Sequence, residues 1–419
     1  MTNTRLLSLA SASALTLAIT APLAFAGSWM GREETKDGVV HVLNPGIPTD
    51  GSFRVTPHKV WSAGGDDDED TLFGVISDVD VDDKGNVYAL DQQLSQVNVF
   101  APDGHLLRTI GREGEGPGEF RRANVMFLMP NGNVAVLQQM PGKLVVFTPD
   151  GKPVDFQGPK GADGGMIAYM DGGRAGDGLV LSLREFAQKP GAFSNQKSLV
   201  VFDASGKPRA TLYQNTVQQD PASMMNFDEK EMRSLAWAGG PDGRVYTSEN
   251  FDAYEIKVFS PEGKLERVID RDYSHRSRSM LEMEAAKPHI RIRANGQNVK
   301  PQINSSSTDR DIMRMIARAD GTLWVLSSHG ALDGSAGIMA TFDVFDAKGR
   351  YVRTLTFDVP GDFKQDDFHI AGDQVVVVKS AKSARDAFMG DGDDSKPAAD
   401  VEPVSLVSYR FDNPATAQK

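Results

Sequence analysis

The side chains of this chain best suited to proton transfer or metal binding near neutral pH are seven histidines, His41, His58, His105, His275, His289, His329 and His369. None forms an HExxH or HxH pair, so a metal site would have to gather ligands from separate segments. His275, His289 and His329, with His369 behind them, are the candidates for a divalent cation such as Ca2+ or Zn2+. The acidic runs 65–70 (GDDDED) and 390–394 (GDGDD) also suit Ca2+, but neither has EF-hand spacing. Cysteine is absent, which excludes disulfides, thiolate metal sites and a cysteine nucleophile. No Gly-x-Ser-x-Gly elbow occurs, which argues against that style of serine hydrolase.

The charged candidates fall at repeated positions. Asp78, Asp171 and Arg314 each stand seven residues before a turn glycine, Gly85, Gly178 and Gly321. That spacing predicts a mixed-charge ring pointing into a central channel, able to hold a polar ligand or cation, or simply pairing with itself in water. Asp91, Arg184, Glu185, Glu249 and His329 each follow a predicted second strand. Placed round one mouth they would form an acid–base set; scattered, they are surface polar groups. Arg112 belongs to GREGEGPGEF (111–120), a glycine-rich stretch whose N–H groups can cradle an anion. It lacks the Lys-Ser/Thr ending of a P-loop, and Phe120 reads equally well as a core plug. From Arg271 to Arg318 the chain is locally basic, with Arg276, Arg278, Lys287, Arg291, Arg293, Lys300, Arg310 and Arg314 between, and 278–287 reads as a short helix. Such a stretch suits an anionic ligand: a carboxylate, a phosphate or an acidic glycan.

The elements that must position these residues are repeats. An acidic or small residue, a glycine and alternating apolar residues recur at 82–90, 130–137, 175–183, 241–248, 319–326 and 370–378. Glycine permits the tight turn, and period-two alternation makes a half-buried strand. A second hairpin follows the first five copies, at 97–110, 144–156, 199–212, 256–269 and 342–355. The sixth is followed only by a third strand, 404–412, while 52–64 reads as a lone strand near the other end. The expected fold is therefore all-β: a six-bladed β-propeller whose ring is closed by an N-terminal strand completing the last blade. The alternative, two β-sandwiches, leaves each half without a full strand set. The expected divisions are 1–26 signal peptide, 27–51 extension, 52–414 propeller and 415–419 tail.

VDDKGNVYALDQQLSQVNVFAPDGHLLRTIGREGEGPGEF (81–120) resembles an NHL repeat. It is similar to the first repeat of bacterial exported proteins described as six-bladed β-propellers, and 318–355 is similar to their fifth. The resemblance implies the propeller fold over nearly the whole mature chain. Propellers of this kind include binding scaffolds, amidating lyases, lactonase-like hydrolases and antibiotic lyases, so it implies no single activity.

Strand order fixes which loops share a face. The glycine turns lie on one face and are short. The longer segments 184–198, 327–340, 380–403 and 271–309 all fall on the other. Function is expected on that elaborated face. The first expectation is a binding or scaffold protein that holds a small anionic ligand or a protein partner there. The rival is a metal-dependent lyase or hydrolase.

Arg5, the uncharged run Leu6–Leu23 and Ala24-Phe25-Ala26 predict a cleaved secretory signal, and so a periplasmic or secreted protein. No lipoprotein cysteine follows it. No second apolar run could span a membrane. The formal charge of −12 argues against nucleic acid as a partner. A monomer is expected.

Overall fold

The computed structural model describes residues 28–66, 68, 71–161, 165–189, 192–219, 226–233, 235–287, 292–294, 297–299, 301–335, 337–389 and 402–412. The chain is a six-bladed β-propeller. Blade 1 is Ile76–Val81, Val87–Asp91, Gln96–Phe100 and Leu106–Ile110. Blade 2 is Ala123–Leu128, Val134–Gln138, Lys143–Phe147 and Pro153–Val154. Blade 3 is Met166–Ala175, Gly178–Lys189, Ala192–Phe202 and Pro208–Gln219. Blade 4 begins with Ala236–Gly239, Val245–Ser248, Glu255–Phe259 and Leu265–Arg271, and blade 5 with Ile312–Ala317, Leu323–Ser327, Ala340–Phe345 and Tyr351–Phe357. Blade 6 is Asp367–Ala371, Gln374–Lys379, Ser405–Arg410 and an N-terminal strand, His58–Gly64, antiparallel to Ser405–Arg410. Among the described residues no helix is long and apolar enough to cross a membrane.

The turns follow from local chemistry. In blade 1, Gly85 at φ +81° closes a turn in which Asp82 Oδ1 accepts the N–H groups of Lys84 and Asn86, both at 2.9 Å. An L side chain disfavours that backbone, and the aspartate supplies the acceptor that holds it.

Residues 52–64, read as one strand, are two. Ser52–Val55 runs parallel to Tyr351–Phe357 of blade 5, and only His58–Gly64 joins blade 6. Pro57 separates them, removing a ladder N–H at the point where the chain changes sheets. The stretch 27–51, read as an extension, contributes a hairpin. Arg32–Lys36 pairs with Val39–Asn44, which adds in parallel to Leu265–Arg271 of blade 4. The N-terminal chain thus straps the rims of blades 4, 5 and 6. Asn44 anchors it: its Nδ2 donates to the carbonyls of Gly349 (2.9 Å) and Asp270 (3.0 Å), and its Oδ1 accepts from Tyr351 N (2.8 Å).

The core is a set of apolar seams between blades. Tyr88, Leu90, Met126 and Val136 fill the seam between blades 1 and 2. Trp61 of the N-terminal strand stacks on Phe100, 5.5 Å between centroids, where blade 6 meets blade 1. Burying such rings stabilises each seam by roughly 1.5–3 kcal/mol per side chain.

Candidate functional site

The innermost strand of each blade leaves one edge unpaired at the central channel, and an unpaired buried N–H is costly. Inner-strand side chains satisfy that edge across the blade boundary. Asp78 Oδ2 accepts Met126 N at 2.8 Å, and Asp80 Oδ2 accepts Leu128 N at 2.9 Å. Asp171 accepts the indole N–H of Trp237 at 2.9 Å. Arg314 pairs with Asp367 at 2.8 Å and donates to the Phe368 carbonyl. Asp78, Asp171 and Arg314 thus come from alternate blades, 1, 3 and 5. Each follows a one-residue bulge, at Ser77, Met170 and Met313. The bulge re-aims the side chain, and nothing in the sequence pattern announces it.

The electrostatics of the channel follow from confinement. Burial raises Asp78 well above the usual carboxylate range, and Asp171, across the channel, adds to this. Burial lifts Asp171 to about 6. His369, 3.6 Å from Asp78, is pushed down to about 4 by burial, so it is neutral at pH 7. Asp367 is held low despite its burial by the Arg314 charge, with help from His369.

The other sequence candidates do not assemble. Asp91 is fully buried and accepts four backbone N–H groups, from Gly74, Val75, Gln93 and Leu94; it ties a loop rather than facing the mouth. Glu249 is paired with Lys257 at 2.6 Å within blade 4. Arg112 is paired with Glu119 at 2.8 Å on an exposed rim. Arg184 and Glu185 lie on a continuous hairpin, Gly178–Lys189 with Ala192–Phe202, where a loop was expected. The acid–base set is therefore dispersed over separate blades.

Nor do the histidines share a donor set. His275 Nδ1 bonds both Asp311 oxygens, at 2.9 and 3.0 Å. His329 places Nδ1 on Asp333 (2.6 Å) and Nε2 on the Ser274 carbonyl (2.9 Å). His289 lies outside the described residues. Among those described, no group of three or more His, Asp or Glu side chains is arranged to hold Ca2+ or Zn2+.

The basic stretch is mostly consumed internally. Arg271 pairs with Asp343 and stacks on Tyr351, 4.5 Å from the ring centroid. Arg276 and Arg278 share Asp309, and Arg278 also bonds Glu229. Arg310 donates to the carbonyls of Ile312, Arg233 and Ser248. Arg318 donates to the Gly372 carbonyl and stacks on Trp324. Arg291, Lys300 and the Arg293 side chain lie outside the described residues.

Two of the cavities on the elaborated face gather several basic side chains. A cleft of about 660 Å³ between blades 4 and 5 is lined by Arg54, Arg271, Tyr273, His329, Asp333 and Asp343. Its guanidinium groups are already matched, Arg54 by Asp358 and Arg271 by Asp343, and Asp333 is bonded by His329. The second, about 300 Å³, lies at the channel mouth and brings together Arg233, Lys287, Arg314, Lys364, Lys382 and Arg385 against Asp366, Asp367 and Asp386. Lys364 and Arg385 make no ion pair among the described residues. Arg122, before the inner strand of blade 2, stacks on Phe388 of the neighbouring helix Ala381–Met389. The mouth is thus net positive in a protein of formal charge −12. Sequence reasoning found Arg314 but missed Arg233, Lys364 and Arg385, which come from three unrelated insertions. The recurring basic residues of 379–385 (KSAKSAR) were the one local signal.

Residues 67–157 match the family DUF5128, described as a 6-bladed beta-propeller. No curated protein matches the chain. Similar solved structures include a member of the duf4221 family from Bacteroides vulgatus (9% identity, TM-score 0.47), covering 85% of this chain and 98% of that one. They also include virginiamycin B lyase from Staphylococcus aureus (9%, TM-score 0.38), covering 83% and 98%. A third is the calcium-binding protein regucalcin from Agrobacterium tumefaciens (12%, TM-score 0.41), covering 86% and 96%.

Proposed function

We propose that this protein is an exported binding propeller of the NHL-like kind, which holds a small anionic ligand at the channel mouth on its elaborated face. The observation that carries this reading is the mouth cavity, where, among the described residues, the cations of Arg385 and Lys364 have no carboxylate partner. Arg314 lies beside them, already oriented by Asp367. Guanidinium groups recognise planar oxyanions through paired donors, so carboxylates and phosphates are the fitting class. The secretory pattern of residues 1–26 supports export to the periplasm or beyond.

Calorimetric titration of the mature protein with phosphate and with di- and tricarboxylates tests this. A saturable anion should bind the native protein, and Arg385→Gln should weaken it at least tenfold while circular dichroism is unchanged. Equal binding by native protein and by the Arg385→Gln, Lys364→Gln double variant would sink the mouth assignment.

A further inference from the structure

The hairpin of blade 3 carries a second cationic arrangement, away from the mouth cavity. Arg184 and Lys197 are directly opposed across Gly178–Lys189 and Ala192–Phe202. Both side chains project to the side of the hairpin that packs on blade 4. Their side is set by period two: Val180, Leu199 and Val201 on that side join Val245 and Phe259 of blade 4 in one apolar cluster. Like charges facing each other across a strand pair destabilise it. Among the described residues nothing bonds Arg184 in compensation. Its Nε is fully buried without a hydrogen-bond partner. Among the described residues, Lys197 Nζ donates to the main-chain oxygen of Glu231, whose carboxylate is within electrostatic reach. Asn195 stands two residues before Lys197, on the same side, and its amide oxygen is likewise buried and unpartnered. Turning that amide over presents its NH2 group instead, since the two amide orientations are set by whatever lies opposite.

The seam therefore holds a guanidinium, an ammonium and an amide that can each donate, with two buried polar atoms unsatisfied. Buried polar groups are almost always paired, so the exceptions mark where a partner belongs. Burial, and next the charge of Arg184, push Lys197 down to about 8, a cost that a bound anion would reverse.

We propose that Arg184, Lys197 and Asn195 form an oxyanion site in the seam between blades 3 and 4, which takes a phosphate, sulfate or carboxylate group. Arg184, Lys197 and Asn195 are not among the side chains that line the mouth cavity. Occupancy locks the projecting hairpin to the segment Glu229–Arg233 that leads into blade 4.

Thermal unfolding of the mature protein at constant ionic strength tests the site, with sodium phosphate, sulfate or acetate set against chloride. At least one oxyanion should raise Tm by several degrees over chloride. Arg184→Gln and Lys197→Gln should each abolish that rise, while Arg184→Lys retains part of it. Arg385→Gln should retain all of it, which separates this site from the mouth. In chloride alone, Arg184→Gln should be at least as stable as the native protein, because it removes repulsion. If no oxyanion exceeds chloride, or if the rise survives in both glutamine variants, the proposal fails.

Discussion

The carboxylate of Asp80 in blade 1 accepts the backbone N–H of Leu128 in blade 2 at 2.9 Å. With Asp78 on Met126 it fastens the free inner edge of one blade to the side chains of the previous one. Arg314 and Arg318 perform the complementary task between blades 5 and 6, donating to the carbonyls of Phe368 and Gly372. The channel lining is thus part of what holds the ring together.

Asp80→Ala should cost about 1–3 kcal/mol, because it strands the Leu128 N–H at the channel. Asp80→Asn keeps an acceptor oxygen there and should cost less. Urea denaturation of the two variants beside the native protein checks the order; an alanine variant as stable as the asparagine one would refute the stitch.

The insertion between blades 4 and 5 is organised by a buried ion network. Glu229 (1% exposed) and Asp309 (8%) both bond Arg278 (4%), and Arg276 shares Asp309. Arg278→Met should destabilise the protein by about 3–5 kcal/mol, since two buried carboxylates lose a partner. Hydrogen exchange should show the loss concentrated in 272–287 and 305–311. Uniform exchange across all blades would count against this reading.

The N-terminal strap depends on Asn44. Asn44→Ala leaves the Gly349 carbonyl and the Tyr351 N–H without their partner and should cost about 1–3 kcal/mol. The Trp29 indole, which donates to Asn44 Oδ1 at 3.0 Å, should become more solvent-exposed. Limited proteolysis should then cut within 28–44 well before the ring opens; simultaneous cleavage throughout would show that the strap and ring unfold as one.

Acid should weaken the ring through His369. An unfolded histidine protonates near 6.5, whereas burial holds His369 at about 4. Between those values the unfolded chain binds a proton that the folded chain refuses. Stability is therefore intact above pH 6.5 and falls as the pH drops towards 4. The His369 side chain is 21% exposed, so the loss should be about 1–2 kcal/mol rather than the full shift. His369→Gln should flatten that part of the stability–pH curve; an unchanged slope would assign it to other groups.

The six Gly turns and the alternating apolar strands were legible because they are local: a positive φ and a period of two are written in adjacent residues. The spacing of Asp78 and Arg314 before Gly85 and Gly321 was legible for the same reason, whereas in blade 3 the positive φ falls at Gly176 and Gly178, read as the turn glycine, opens the next strand. What Asp78, Asp171 and Arg314 touch was not legible. Their partners are Met126, Trp237 and Asp367, each on the next blade, and the bulges that aim them leave no mark on composition. Tertiary structure also moved residues 52–55 to blade 5, because parallel addition to a rim depends on where the strap runs. It neutralised most of the 271–318 basic stretch, partly through Asp309 within that segment and partly through Glu229, Asp333 and Asp343 outside it. It left Arg385 and Lys364 at the mouth without a carboxylate partner among the described residues, and Arg184 opposite Lys197 in the seam. The architecture, in short, was carried by short-range steric rules. The charge balance of each surface was decided by distances between blades, which no single segment encodes.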